Sequence, residues 1–278
     1  MTFASRIQRP LLVAITAIGL SLPAVCSARA ETSAWVDNVG GRMRLVALAP
    51  DKQGKIRAGL QIEPKAGWIT YWREPGNSGI PPQITIAPET GVTLDGIGYP
   101  IPKHIADGKV DDIGYDAPVT LPLTLSAKPG TQEIKAQAFI GICKDICVPF
   151  QADFSVSLPA AAQSQPEDKA ILDAADARLP EAPSSKFKVN KHALSEDMKE
   201  LTLRITLPEI GDTTPEVIVA GPSGYVFAKR LMSKRDGTTL TTTIAIGKLP
   251  KNYDIHGKSW SALIIDGSRA IEAPLVFE

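Results

Sequence analysis

The sequence predicts an all-β protein: two tandem immunoglobulin-like β-sandwiches joined by a linker with a short helix. Three observations carry this reading. The 278 residues include 23 prolines and 22 glycines, which cut the chain into short runs. Apolar residues within those runs favour strands, and such punctuation favours turns between them. The runs recur at the spacing expected of an antiparallel sandwich. The pattern breaks once, between Pro159 and Lys186, where Ala, Gln, Ser and helix formers replace it. The expected layout is therefore a leader over 1–30, a first sandwich over 31–158, a linker over 159–186 and a smaller sandwich over 187–278.

The leader comes first. Arg6 and Arg9 give a positive start, Leu11 to Val25 an apolar stretch, and Ala28-Arg29-Ala30 an A-x-A site. This is the pattern of a secretory signal peptide, with cleavage expected after Ala30. Cys26 raises the rival of a lipoprotein signal, but Val25 before it is not the small residue such a signal needs. Cleavage after Ala30 leaves two cysteines in an oxidising compartment. No later run approaches the ~18 apolar residues of a membrane helix, so no stable membrane insertion is expected.

The first sandwich reads as about eight strands. Arg42–Ala49 and Lys55–Glu63 flank a Pro50–Gly54 turn and predict a hairpin. Gly67–Glu74, Gln83–Ala87, Val92–Tyr99, Ala117–Ser126, Ile134–Ile142 and Val148–Leu158 follow. Pro122 lacks a backbone donor, which points to an edge strand or a bulge. In Gly67–Pro82, alternation puts Trp68, Thr70 and Trp72 on one face and Ile69, Tyr71 and Arg73 on the other. That fits a central strand covered on both faces, or an aromatic wall that covers a site or docks a partner. Gly96–Ala117 is rich in Gly and Pro, and His104 within it reads as an exposed loop residue.

In the linker, Ser164-Gln165-Pro166-Glu167 has the form of a capping box. Glu167–Leu179 is rich in helix formers and stops before Pro180. A short helix between two flexible pieces, the second being Pro180–Lys186, is the expectation. Strand-like runs resume at Phe187–Lys191, Glu200–Leu207, Glu216–Ala220, Val226–Ser233, Thr238–Ile246, Trp260–Asp266 and Ala270–Phe277. Asp236-Gly237 and Asp266-Gly267 mark tight hairpins. The two sandwiches are expected to fold separately.

Charge narrows the function. Thirty basic and 30 acidic residues balance, which gives no electrostatic case for nucleic acid or an anionic membrane. The chemistry concentrates in Phe139–Phe150, FIGICKDICVPF. Along a straight strand Cys143 and Cys147 would stand ~13 Å apart, whereas a disulfide needs Cα atoms within about 7 Å. A bond therefore requires a hairpin reversal over Lys144-Asp145-Ile146. Three roles remain open for the pair. It is a structural staple, a redox couple, or a soft-metal site such as copper(I) on two thiolates. Closing so short a loop contributes only about 2 kcal/mol, which argues mildly against the staple. Lys144 favours a thiolate and Asp145 opposes it.

GWITYWREPGNSGIPP, Gly98-Tyr99-Pro100-Ile101-Pro102, Gly114-Tyr115 and above all GICKDICVP resemble the periplasmic N-terminal domain of the thiol:disulfide interchange protein DsbD and its ScsB-like relatives. The resemblance covers residues 35–158 strongly and the second sandwich more loosely. It implies an immunoglobulin-like domain that needs no bound cofactor or metal. In such a domain Cys143 and Cys147 form the redox pair, receiving electrons from a membrane-embedded thiol reductase and passing them to periplasmic thioredoxin-fold proteins. Those proteins continue into a helical membrane domain and a thioredoxin-like domain, whereas this sequence ends at Glu278, so separate proteins are expected to supply the electrons. The alternative is a non-catalytic tandem sandwich that binds a partner protein or copper, its disulfide structural.

Overall fold

A computed structural model describes residues 1–2, 32–76, 79–106, 111–158, 165–211 and 213–277. Most of the expected leader with Cys26, the loop residues Asn77 and Ser78, and linker residues 159–164 lie outside the described residues.

The first sandwich is built from β1 (Val36–Asn38), β2 (Gly41–Ala47), β3 (Lys55–Pro64), β4 (Ile69–Gly76), β5 (Gln83–Ile86), β6 (Val92–Ile97), β7 (Lys103–Ala106), β8 (Asp111–Tyr115), β9 (Val119–Ala127), β10 (Glu133–Cys143) and β11 (Cys147–Ser157). One sheet has the order β1-β2-β3-β9-β6, the other β11-β10-β4-β8-β7, with β5 pairing further along β10. Period-2 alternation sets the core. Met43, Leu45 and Ala47 point inward from β2, and Ile134, Ala136, Ala138, Ile140 and Ile142 from β10. β4 is covered on both faces, as its aromatic alternation predicts: Tyr71 and Trp72 are each 1% exposed.

Several expectations need correction. β7 and β8 occupy the segment read as Gly/Pro-rich loop, because strands of four or five residues show too little alternation to be seen. His104 lies in β7, partly buried, its Nδ1 3.6 Å from Glu216 Oε1. Pro122 is not on an edge: β9 runs between β3 and β6. The register slip lies in its neighbour β6, between Leu94 and Gly96.

Helix α1 (Pro166–Asp176) starts at Gln165, which makes no side-chain cap bond, in place of the expected capping box. It is docked, not tethered. Leu172 is 1% exposed, and a Cβ on Gly59 of β3 would stand 2.7 Å from its Cδ2. Arg57 Nη2 donates to Asp173 at 2.9 Å and Asp176 at 2.6 Å, and Thr32 to Asp168 at 2.8 Å. The segment after the helix is also held. Glu181 N donates to Ala270 O at 2.7 Å, and its carboxylate accepts from Arg269.

The second sandwich comprises β12 (Lys188–Leu194), β13 (Glu200–Thr206), β14 (Glu216–Ala220), β15 (Val226–Phe227), β16 (Arg230–Asp236), β17 (Thr239–Ala245), β18 (Trp260–Asp266) and β19 (Arg269–Leu275). Its sheets have the orders β12-β13-β17-β16 and β15-β14-β18-β19. Gly237 and Gly267, with φ of 58° and 64°, turn the expected tight hairpins, where left-handed backbone favours glycine.

The sheet β15-β14-β18-β19 is buried on both faces. Val217, Val219, Ala262, Ile264 and Ile271 enter the second core. Ile218, Ala220, Leu263 and Ala270 instead join the buried cluster of the first sandwich. Double burial explains why EVIVA and SALII are nearly continuous apolar runs. The two sandwiches share packing, so the separate folding expected from the linker composition meets a physical obstacle. Among the described residues, no helix is long and apolar enough to cross a membrane.

Candidate functional site

The β10–β11 ladder runs from Glu133↔Ser157 to Cys143↔Cys147. Lys144-Asp145-Ile146 reverses the chain, closed by Lys144 N donating to Ile146 O at 3.2 Å. The two cysteines are the last rung, with Cα atoms 4.1 Å apart, and they are disulfide-bonded. The two ends of the bond are not equivalent. Cys143 is 3% exposed and pairs with Ile69 of β4, whereas Cys147 is exposed. Ile146 beside it is 71% exposed.

β4 brings a second group to the sulfurs. The Tyr71 hydroxyl lies 3.2 Å from Cys147 Sγ and 3.3 Å from Oδ2 of Asp112 on β8. Asp112 is 2% exposed. Burial first, and the Asp112 charge second, push the Tyr71 phenol well above its usual value, which favours the neutral hydroxyl. The ring is held by close backbone approach. A Cβ on Gly79 would stand 2.5 Å from Tyr71 Cδ1, and one on Gly141 would stand 3.2 Å from Cδ2 and 2.8 Å from Ile80 Cβ. A side chain at Gly79 would force Pro75 or the Tyr71 ring to move. On the strand's other side, Thr70 Oγ1 donates to Gly141 O at 3.0 Å.

Both sequence-predicted cysteines are thus brought together. Tyr71 was visible as part of an aromatic strand, but its partner Asp112 was not. The two are 41 residues apart, and only β4–β8 pairing joins them. Tyr115 plays a packing part: it is buried and donates to Pro100 O at 2.8 Å. Among the described residues, no group of three or more His, Cys, Asp or Glu side chains is placed to hold a metal.

Residues 43–159 match the family described as thiol:disulfide interchange protein DsbD, N-terminal. The first sandwich is a DsbD-type N-terminal domain. The cysteine hairpin falls inside the matched residues. Residues 178–278 match a domain family of unknown function, DUF8393. Among solved structures, the chain is similar to the N-terminal periplasmic domain of ScsB from Proteus mirabilis. That likeness has a TM-score of 0.74 and 18% identity, covering 88% of this chain and 98% of that one. At that identity it shows the fold, and it extends over both sandwiches. No curated protein matches the chain.

Proposed function

We propose that the protein is a periplasmic thiol–disulfide carrier, relaying electrons through Cys143 and Cys147 from a membrane-embedded reductase to thioredoxin-fold proteins. The observation that carries this reading is the asymmetry of the bond: an exposed residue, Cys147, at a hairpin tip, backed by a buried Cys143. A donor thiolate attacks Cys147 Sγ, the Cys143–Cys147 bond breaks, and Cys143 leaves as a thiolate and takes up a proton. The donor's second thiolate then attacks the mixed disulfide, releasing Cys147 and oxidising the donor by two electrons. In the forward half, the Cys147 thiolate attacks an acceptor disulfide and Cys143 resolves the product. With its hydroxyl donating to Asp112, Tyr71 can accept from the Cys147 thiol, and it can donate to the Cys147 thiolate when Asp112 carries the proton.

The leader-like residues 1–30 and the periplasmic origin of the ScsB domain support the compartment. The test is a Cys143→Ala variant mixed with oxidised thioredoxin-fold protein. A stable mixed disulfide through Cys147 is expected. Failure of both single-cysteine variants to trap any such protein would sink the carrier reading and leave a binding module with a structural bond.

A further inference from the structure

β4 touches both the disulfide and the second sandwich. At one end Tyr71 reaches Cys147 Sγ. Two residues on, Arg73 forms a two-pronged ion pair with Glu272 of β19: Nη1 donates to Oε2 at 3.0 Å, and Nη2 donates to Oε1. Ser261 of β18 fixes the same carboxylate, its Oγ donating to Oε1 at 2.7 Å. The next residue, Glu74, accepts a backbone hydrogen bond from Gly224, which precedes β15.

These contacts stand where the ladder register is interrupted. The β4–β8 register runs Thr70↔Tyr115 and Tyr71↔Gly114, then resumes only at Gly76↔Asp112. On the other side β4 pairs with β10 only at Ile69 and Thr70. No ladder pair among the described residues therefore includes Trp72, Arg73, Glu74 or Pro75. A stretch that the register skips relies on its side-chain contacts to fix its position. The Arg73 guanidinium lies 4.0 Å above the Trp72 ring, and Trp72 is fixed in the core. The guanidinium thus links that core to Glu272. Gly79 beyond it lies close against both Pro75 and the Tyr71 ring.

We propose that the second sandwich is a positioning element for the disulfide: through Glu272 on Arg73 it holds β4 so that the Tyr71 hydroxyl stays on Cys147. Arg73 and Glu272 are positioning residues, acting through Tyr71. The inference rests on the exchange reading above. With its one proton donated to Asp112, the Tyr71 oxygen can accept from a Cys147 thiol, whereas a disulfide sulfur has no proton to offer, so a well-placed Tyr71 favours the reduced pair. Loss of the clamp shifts the equilibrium toward the disulfide.

The test uses the full mature chain and glutathione. Two glutathione thiols reduce the bond and become glutathione disulfide, so the equilibrium constant reports the pair without a protein partner. Arg73→Ala and Glu272→Gln are each expected to lower that constant about fivefold, the worth of one ordinary hydrogen bond. Arg73→Lys should recover part of the loss. In a Tyr71→Phe background the same substitutions should change nothing further, because their route to the sulfur is gone. Glu181→Gln, which breaks the remote Arg269 pair, serves as control. Should Arg73→Ala fail to fold, the isosteric Glu272→Gln carries the test. Wild-type values in the Glu272→Gln chain, or equal losses with and without Tyr71, overturn the inference while leaving the carrier reading intact. A wild-type bond that glutathione never reduces counts instead against the carrier reading.

Discussion

Cys143 and Cys147 form the last rung of one ladder, yet Cys143 is 3% exposed while Cys147 lies open to solvent. Burial raises a thiol's pKa and blocks access, and both slow alkylation. In the reduced protein, iodoacetamide should modify Cys147 at least about tenfold faster than Cys143. Peptide mapping after short labelling times measures this. Equal labelling would show that the hairpin tip opens on reduction and that the asymmetry is confined to the bonded state.

The bond should add little to stability. A loop this short contributes about 2 kcal/mol by chain entropy, against roughly 5–15 kcal/mol for a folded domain. A Cys143→Ala, Cys147→Ser double variant is expected to stay folded, with a cooperative urea transition, and to lose all thiol transfer. Unfolding of that variant at ordinary temperature would favour the structural staple.

Helix α1 should be part of the fold rather than a spacer. Leu172 is its buried anchor. Truncation of a buried Leu costs about 2–5 kcal/mol, and the ion pairs to Arg57 are too exposed to compensate. Leu172→Ala is therefore expected to lower the denaturation midpoint and to open residues 166–179 to protease. A helix that stays resistant in the variant would show that Thr32 and Arg57 hold it unaided.

Glu74 gives a pH signature. Burial raises its carboxyl above the ordinary 4.5, with Arg73 and the Gly224 amide opposing. A carboxyl whose folded value exceeds its unfolded one binds its proton more tightly when folded. Its contribution is most favourable below 4.5 and declines as pH rises through the folded value. Glu74→Gln removes that decline. The melting temperature of the variant relative to wild type should therefore rise from about pH 4 toward neutrality. A difference constant across that range would refute the assignment.

Much of the fold was legible because turn residues and alternation are local signals. Asp236-Gly237 and Asp266-Gly267 announced their hairpins, and the β10 and β11 runs were found to within a residue or two. β7 and β8 were missed because four or five residues carry too short a period amid Gly and Pro. In the site, the sulfur pair was readable from spacing and reversal. Tyr71 on Cys147 and Asp112 on Tyr71 were not, because each contact joins residues far apart in sequence and depends on which strands pair. The double burial of β14 and β18 left a trace, in EVIVA and SALII, that reads equally well as any sandwich strand. Only the first sandwich laid against it gives the second face a purpose.

That shared sheet changes what kind of object the chain is. Ile218 and Leu263 serve the first core while their neighbours Val219 and Ile264 serve the second. Neither half can loosen without exposing apolar surface on the other, so heating should produce one transition rather than two, and the slowest amide exchange should fall along β14 and β18. Such a protein does not behave as beads on a string. A graft that moves the cysteine domain alone into another scaffold would carry with it a raw, sticky flank that the native chain never shows to water.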